Sequence, residues 1–345
     1  MSDTTAQRYR RPSYRITLGG TDITPKIDGR LISLRLRSQR GLEADQLDIT
    51  LADHDGALAL PSRGAALRVA YGWQDSGSNG QGLTDKGLFT VDEIQHSGAP
   101  DQLTIRARSA DMRGALPGKR TQSWHGLTVG EIIDTIAQRH DLKPVIGDTV
   151  RGIRIGHIDQ TEESDLNFLT RLGERFDAVA TVKAARLLFT QAGEALTASG
   201  LAMPAVTLER RDGDRHRYSA TDRDSYTGVV AYWNDKTNAE RQRVIAGSDE
   251  DAKELRPTYA TEADALDAAK AEWQRAQRGE ATFDITLAHG RPDILPESPL
   301  RVSGFKPDID ATPWLVTEVE DSLDDNGFGT RLKCEVRGGE KATSG

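Results

Sequence analysis

Across much of the chain, apolar residues recur at every second position. Leu47, Ile49 and Leu51 alternate with Asp48 and Thr50, and Leu103, Ile105 and Ala107 alternate with Thr104, Arg106 and Arg108. A period of two puts one face on a core and the other in water, as in antiparallel sheets and barrels. Residues 14–110 read this way, with turns at Gly19-Gly20, Asp28-Gly29, Asp55-Gly56 and Pro61. One run of the pattern occurs twice. Leu67-Arg68-Val69, Gly72-Trp73, Phe89 to Ile94 and Leu103 to Arg108 return in order as Leu300-Arg301-Val302, Gly304-Phe305, Trp314 to Val319 and Leu332 to Arg337. The reading is a duplicated β domain.

Between the copies the period lengthens. Thr128-Val129-Gly130-Glu131 has capping-box spacing, and Ile132, Ile133, Ile136 and Ala137 follow on one helical face. A second helix is expected from about Glu163 to Phe176, with Leu166, Leu169, Leu172 and Phe176 as its stripe. Residues 205–337 return to strands, Tyr226 to Tyr232 and Phe283 to Leu287 among the clearest. One helix, near 261–278, is embedded there, capped by Thr261 and ended by Gly279. Gln74 to Gly87 is rich in Gly, Ser, Asn and Asp and reads as a long hairpin loop, either a solvated excursion or a segment that orders against a partner. The expected organisation is 1–117, first β domain; 118–200, small α/β domain; 201–337, second β domain; 338–345, flexible tail.

Composition narrows the function classes. The chain has 345 residues, long enough for two or three cores, and its net charge of −8 argues against polyanion binding by bulk electrostatics. No run approaches the roughly 18 apolar residues of a membrane helix, and no secretory signal is expected from residues 1–15. The single cysteine, Cys334, lies in an alternating strand pattern and is expected as a buried small apolar residue in a protein made in a reducing cytoplasm.

The motifs of catalysis do not assemble. The seven histidines form no HExxH pair, there is no Cys/His cluster, and neither a Walker A loop nor a GxSxG elbow occurs. Asp53-His54-Asp55 falls in a turn after a strand, where such residues are common. No catalytic, cofactor-binding or metal-binding residue is singled out. Two segments are candidates for partner contact. Arg8, Arg10 and Arg11, interleaved with Tyr9 and close to Tyr14 and Arg15, form the one concentrated positive patch, read as either a solvated terminus or an arm that docks on an acidic neighbour. Asp75, Ser78, Asn79 and Lys86 belong to the long loop.

The block Gln160-Thr161-Glu162-Glu163-Ser164-Asp165-Leu166-Asn167-Phe168-Leu169-Thr170-Arg171-Leu172, with Trp124 to Ile133 before it and Leu300 to Phe305 after it, resembles the baseplate hub proteins of contractile phage tails. The late-control protein D family fits in particular, and the N-terminal hub of type VI secretion spike proteins is related. The resemblance implies a mainly β fold with an α+β insertion: two similar antiparallel β-barrel tube domains per chain plus a small mixed α/β domain. It implies a homotrimer whose six barrels make a pseudo-sixfold ring, adapting a hexameric tail tube to a trimeric spike. The implied partners are the spike, the tail tube or tube-initiator protein and baseplate wedge proteins, with the tape-measure protein a further candidate. No cofactor, membrane or sequence-specific nucleic acid is implied. The implied place is the virion baseplate or a phage-tail-like particle, assembled in the bacterial host cytoplasm. About eight polar residues follow the last strand pattern, so the spike is expected as a separate polypeptide. Two rival readings are a tail-tip peptidoglycan hydrolase and a monomeric surface-binding β module.

Overall fold

A computed structural model of the chain describes residues 10–75, 82–109, 118–183, 185–197, 199–220, 226–235 and 238–338. The first β region runs through β1 (Arg10–Leu18), β2 (Thr21–Asp22), α1 (Thr24–Ile27), β3 (Leu31–Gln39), β4 (Gln46–Ala52), β5 (Ala66–Asp75), β6 (Thr84–Ser97) and β7 (Gln102–Ser109). The middle region comprises β8 (Lys119–Thr128), α2 (Val129–Arg139), β9 (Lys143–Ile146), α3 (Asp148–Arg151), β10 (Arg154–Ser164), α4 (Asp165–Phe176), β11 (Ala178–Lys183) and β12 (Arg186–Gln191). The last region holds β13 (Val206–Glu209), β14 (Gly213–Ala220), β15 (Gly228–Asp235), β16 (Glu240–Gly247), β17 (Ala252–Tyr259), α5 (Glu262–Gly279), β18 (Ala281–Leu287), β19 (Pro299–Ser303), α6 (Pro307–Ala311), β20 (Trp314–Asp324) and β21 (Gly327–Val336).

The fold is mainly β. Among the described residues, thirteen strands of the first and last regions share one sheet in the order β14-β18-β21-β20-β3-β4-β7-β6-β5-β1-β2, with β19 on β20 and β13 on β19. Its pairings are antiparallel except β13·β19. Alternation sends Leu34, Leu47, Ile49, Val69, Phe89 and Ile105 into one core and Phe283, Ile285, Leu300, Trp314 and Leu332 into a second. Cys334 is in that second core, where burial pushes its thiol well above the ordinary range.

The middle region folds around a core of its own. Thr128 closes the expected capping box with Glu131, and Ile132, Ile133, Ile136 and Ala137 are buried. The next helix starts later than the sequence pattern suggests. Glu163 still belongs to β10, and Ser164 caps α4 by accepting from the Asn167 amide. Phe168 lies fully inside and Leu166 only partly, so the buried stripe is Phe168, Leu169, Leu172 and Phe176.

The structure adds two points to the sequence pattern. The strand at Tyr226 to Tyr232, which begins at Gly228 as β15, and the helix near 261–278 stand apart from the thirteen-stranded sheet. Strands β15, β16 and β17 make a separate sheet, and Ala265 and Ala269 of α5 pack on Val229, Ala231 and Ala246 as a fourth core. Local alternation identifies a strand but not the sheet it joins. The supposed long loop is also shorter than expected. Strand β5 runs to Asp75 and β6 begins at Thr84, so Lys86 is in a strand, while residues 76–81 lie outside the described residues.

Candidate functional site

The two copies match in pairing register as well as in order. Leu67 pairs with Phe89 in the first, and Leu300 with Trp314 in the second. Each copy then carries a β-bulge at the matching place, Asp92 in β6 and Thr317 in β20, flanked by the pairs Val91–Ala107 and Val316–Cys334. Past each bulge sits the same ion pair, Glu93–Arg106 at 2.9 Å and Glu318–Lys333 at 3.0 Å. A second bulge also recurs, at Ile32 of β3 against β4 and at Asp214 of β14 against β18. Ahead of β5 and β19 the backbone repeats too. Gly64 donates to the Val91 carbonyl at 2.7 Å, and Glu297 donates to that of Val316 at 2.8 Å. Both residues are left-handed, with φ of 83° and 69°, which costs Gly64 nothing and strains Glu297.

These pairings correct the last strand of the repeat. Ala107 matches Cys334, so Leu332 is the counterpart of Ile105 and not of Leu103. A slip of two residues keeps every side chain on its face, and alternation alone cannot detect it. The equivalences β3–β14 and β4–β18 also place the β15–α5 unit. It falls between β14 and β18, where the first copy has only the 40–45 connection between β3 and β4.

The copies meet edge to edge. Strand β20 gives its first two residues to β19 and then pairs with β3, from Glu318 opposite Gln39 to Asp324 opposite Ser33. On the core side of this joint, Asp321 is 1% exposed. It accepts from the Tyr71 hydroxyl at 2.7 Å, Lys86 Nζ at 2.9 Å and the Thr330 hydroxyl at 2.5 Å. Burial and the Asp321 charge push the Tyr71 phenol well above its ordinary value. Lys86 also donates to the Pro292 carbonyl at 2.8 Å, and the Trp73 indole donates to that of Gly290 at 2.8 Å. On the opposite face of the sheet the buried Glu318 takes Arg37 at 2.8 Å and Lys333 at 3.0 Å. Burial alone would raise its carboxyl, but the hydrogen bonds from Arg37 and Lys333 outweigh burial and hold it below the usual range.

A second charged cluster ties the middle region to this joint. Asp177, at the end of α4, pairs with Arg278 of α5, and Arg278 Nε lies 3.1 Å from Glu335 of β21. Glu335 also pairs bidentately with Arg40, at 2.5 and 2.9 Å, in the connection after β3. Both Asp177 and Arg278 are buried.

The residues proposed for partner contact are not brought together. Arg8, Ser78 and Asn79 lie outside the described residues. Arg10 and Asp75 are backbone register partners in the β1·β5 ladder, and Arg11, opposite Gln74, is exposed. Arg10, Arg11 and Arg15 are therefore part of the sheet rather than of a free arm. Lys86 is turned inward on Asp321. Asp53 staples its own loop by accepting from the Leu58 amide, and Asp55 ties that loop to Arg30, just ahead of β3. Sequence reading missed two features: the stacked pair His125 and His157, ring centroids 4.4 Å apart on the β8·β10 ribbon, and the exposed edge of β14. The repeat itself is the signal that could have found the latter.

Comparison with known proteins agrees with this architecture. Residues 31–327 match the family model for the phage tail baseplate hub (GPD). A probable baseplate hub protein of Escherichia phage 186 is 45% identical, covering 94% of this chain and 93% of that protein. Among solved structures, a tail protein of Neisseria meningitidis superposes with a TM-score of 0.68 at 14% identity, over 94% of this chain and 96% of that one. An Escherichia coli component of the type VI secretion system superposes at 0.52 with 14% identity, over 96% of this chain and 79% of that one. With a family model spanning most of its length and a relative of nearly half identity, this chain belongs to the phage tail baseplate hub family.

Proposed function

We propose that the protein is a structural hub without turnover, assembled as a homotrimer whose six β copies form a pseudo-sixfold ring. One face of the ring would seat a hexameric tail tube or tube initiator, and the other a trimeric spike made as a separate protein, with wedge proteins around it. The observation that carries this reading is the β20·β3 joint. A copy that continues into the next by strand pairing can be repeated around a circle, and two copies per chain convert threefold into near-sixfold symmetry. The type VI resemblance supports the spike side at the level of fold.

The test is co-production with a candidate spike, followed by native mass measurement. The expected species contains three hub chains and three spike chains. Strict monomers with no affinity for the spike would refute the reading, and clearing of bacterial cell wall by the purified chain would favour the hydrolase instead.

A further inference from the structure

Several strand edges have no partner among the described residues, and two of them concern the repeat. Strand β6 pairs with β7 along Phe89 to Ser97 and with β5 only as far as Thr90, leaving the outer edge of its C-terminal half open. Strand β14 pairs with β18 and with nothing on its other side. These are the counterparts of the two strands that form the internal joint. The bulge at Asp92 aligns β6 with β20, so Ile94 corresponds to Val319 and Ser97 to Ser322. The bulge at Asp214 aligns β14 with β3, so Arg217 corresponds to Arg35 and Ala220 to Ser38.

We propose that the free edge of β6 in one molecule takes the free edge of β14 from a second copy of this chain, in the register of the internal joint. Substituting equivalents into the β20·β3 ladder puts Ile94 opposite Ala220, Gln95 opposite Ser219, His96 opposite Tyr218 and Ser97 opposite Arg217. Backbone hydrogen bonds carry such a joint, so it tolerates different side chains in the two copies. Burial supports it independently. Leu34 and Leu36 are 1% and 3% exposed beneath the internal joint, while Tyr218, at the place of Leu36, is left 37% exposed and His216, at the place of Leu34, is also exposed. A second copy would cover both. Arg215 and Arg217 border the β14 edge, and charges there oppose indiscriminate strand addition. The joint names the contact by which the proposed ring closes, and it rests on that reading only for the number of copies.

The experiment mixes full-length chains carrying Gln95→Cys with chains carrying Ser219→Cys and oxidises them. Cys334 is 2% exposed and stays silent. Disulfide-linked dimers are expected, and chains carrying both substitutions are expected to give a ladder of two and three linked chains. An Arg215→Cys partner, four positions out of register, should give neither. Amide hydrogen exchange of the unmodified chain provides the second measurement, with slowing at Ile94–Ser97 and Arg217–Ala220 expected on assembly. Oligomers without the in-register link, or with no slowing at these edges, would overturn the joint while leaving the hub reading intact. Chains that stay monomeric even with the spike present would overturn both.

Discussion

Asp321 shows how much of this structure rests on single buried groups. Its buried carboxylate gathers Tyr71, Lys86 and Thr330, residues of both copies. Asp321→Ala would strand the Lys86 ammonium there, and removing one partner of a buried pair costs about 3–5 kcal/mol. That loss should appear in urea unfolding, and Lys86→Met in the same chain should restore much of it. A change within about 0.5 kcal/mol for the single variant would mean the pair is not structural. Glu318 sets an acid limb. Its folded pKa lies below the unfolded value of about 4.3. Its contribution is therefore present above that value and lost as pH falls through the folded one. Glu318→Gln should flatten the fall of the unfolding midpoint below about pH 4.3. An unchanged acid limb would remove Glu318 from the account. None of this was legible in sequence. Lys86 reads as a loop residue because its neighbours are Gly, Asp and Thr, while its partner lies across the fold in another copy of the repeat.

At the scale of elements, legibility followed the locality of the signal. Helix α2 announces itself because cap, stripe and stop all fall within a few residues. Thr128→Ala should cost about 1 kcal/mol by removing the capping box. Denaturant unfolding followed through Trp124, buried in that core, would read it, and no change would mean the cap is dispensable. Strand β15 was equally visible as a strand but not as a member of a separate sheet, since its partners β16 and β17 are chosen by packing under α5. The slip in aligning β7 with β21 has the same origin. Period-two patterning fixes a face, whereas the bulges at Asp92 and Thr317 fix position along the strand, and bulges leave no mark in hydropathy.

At the scale of the whole molecule, the joint unites the copies into one sheet. Amides of β3 and β4 should therefore exchange with the same free energy as those of β20 and β21 in native-state hydrogen exchange, and those of β15–β17, held on a small separate core, should open earlier. Independent opening of β3–β4 and β20–β21 would show two units that merely touch. The recurring strand pattern was legible from the first pass along the chain, because order and alternation survive divergence. The joint was not, because nothing local says that β20 leaves β19 after two residues to meet β3. The growth of the 40–45 connection into the β15–α5 unit has a consequence of its own. In the proposed trimer this outgrowth would stand on every other seat, like the key on a collar. A neighbour resting only on the ladders could dock in six nearly interchangeable orientations, whereas one that also grips the outgrowth would have only three.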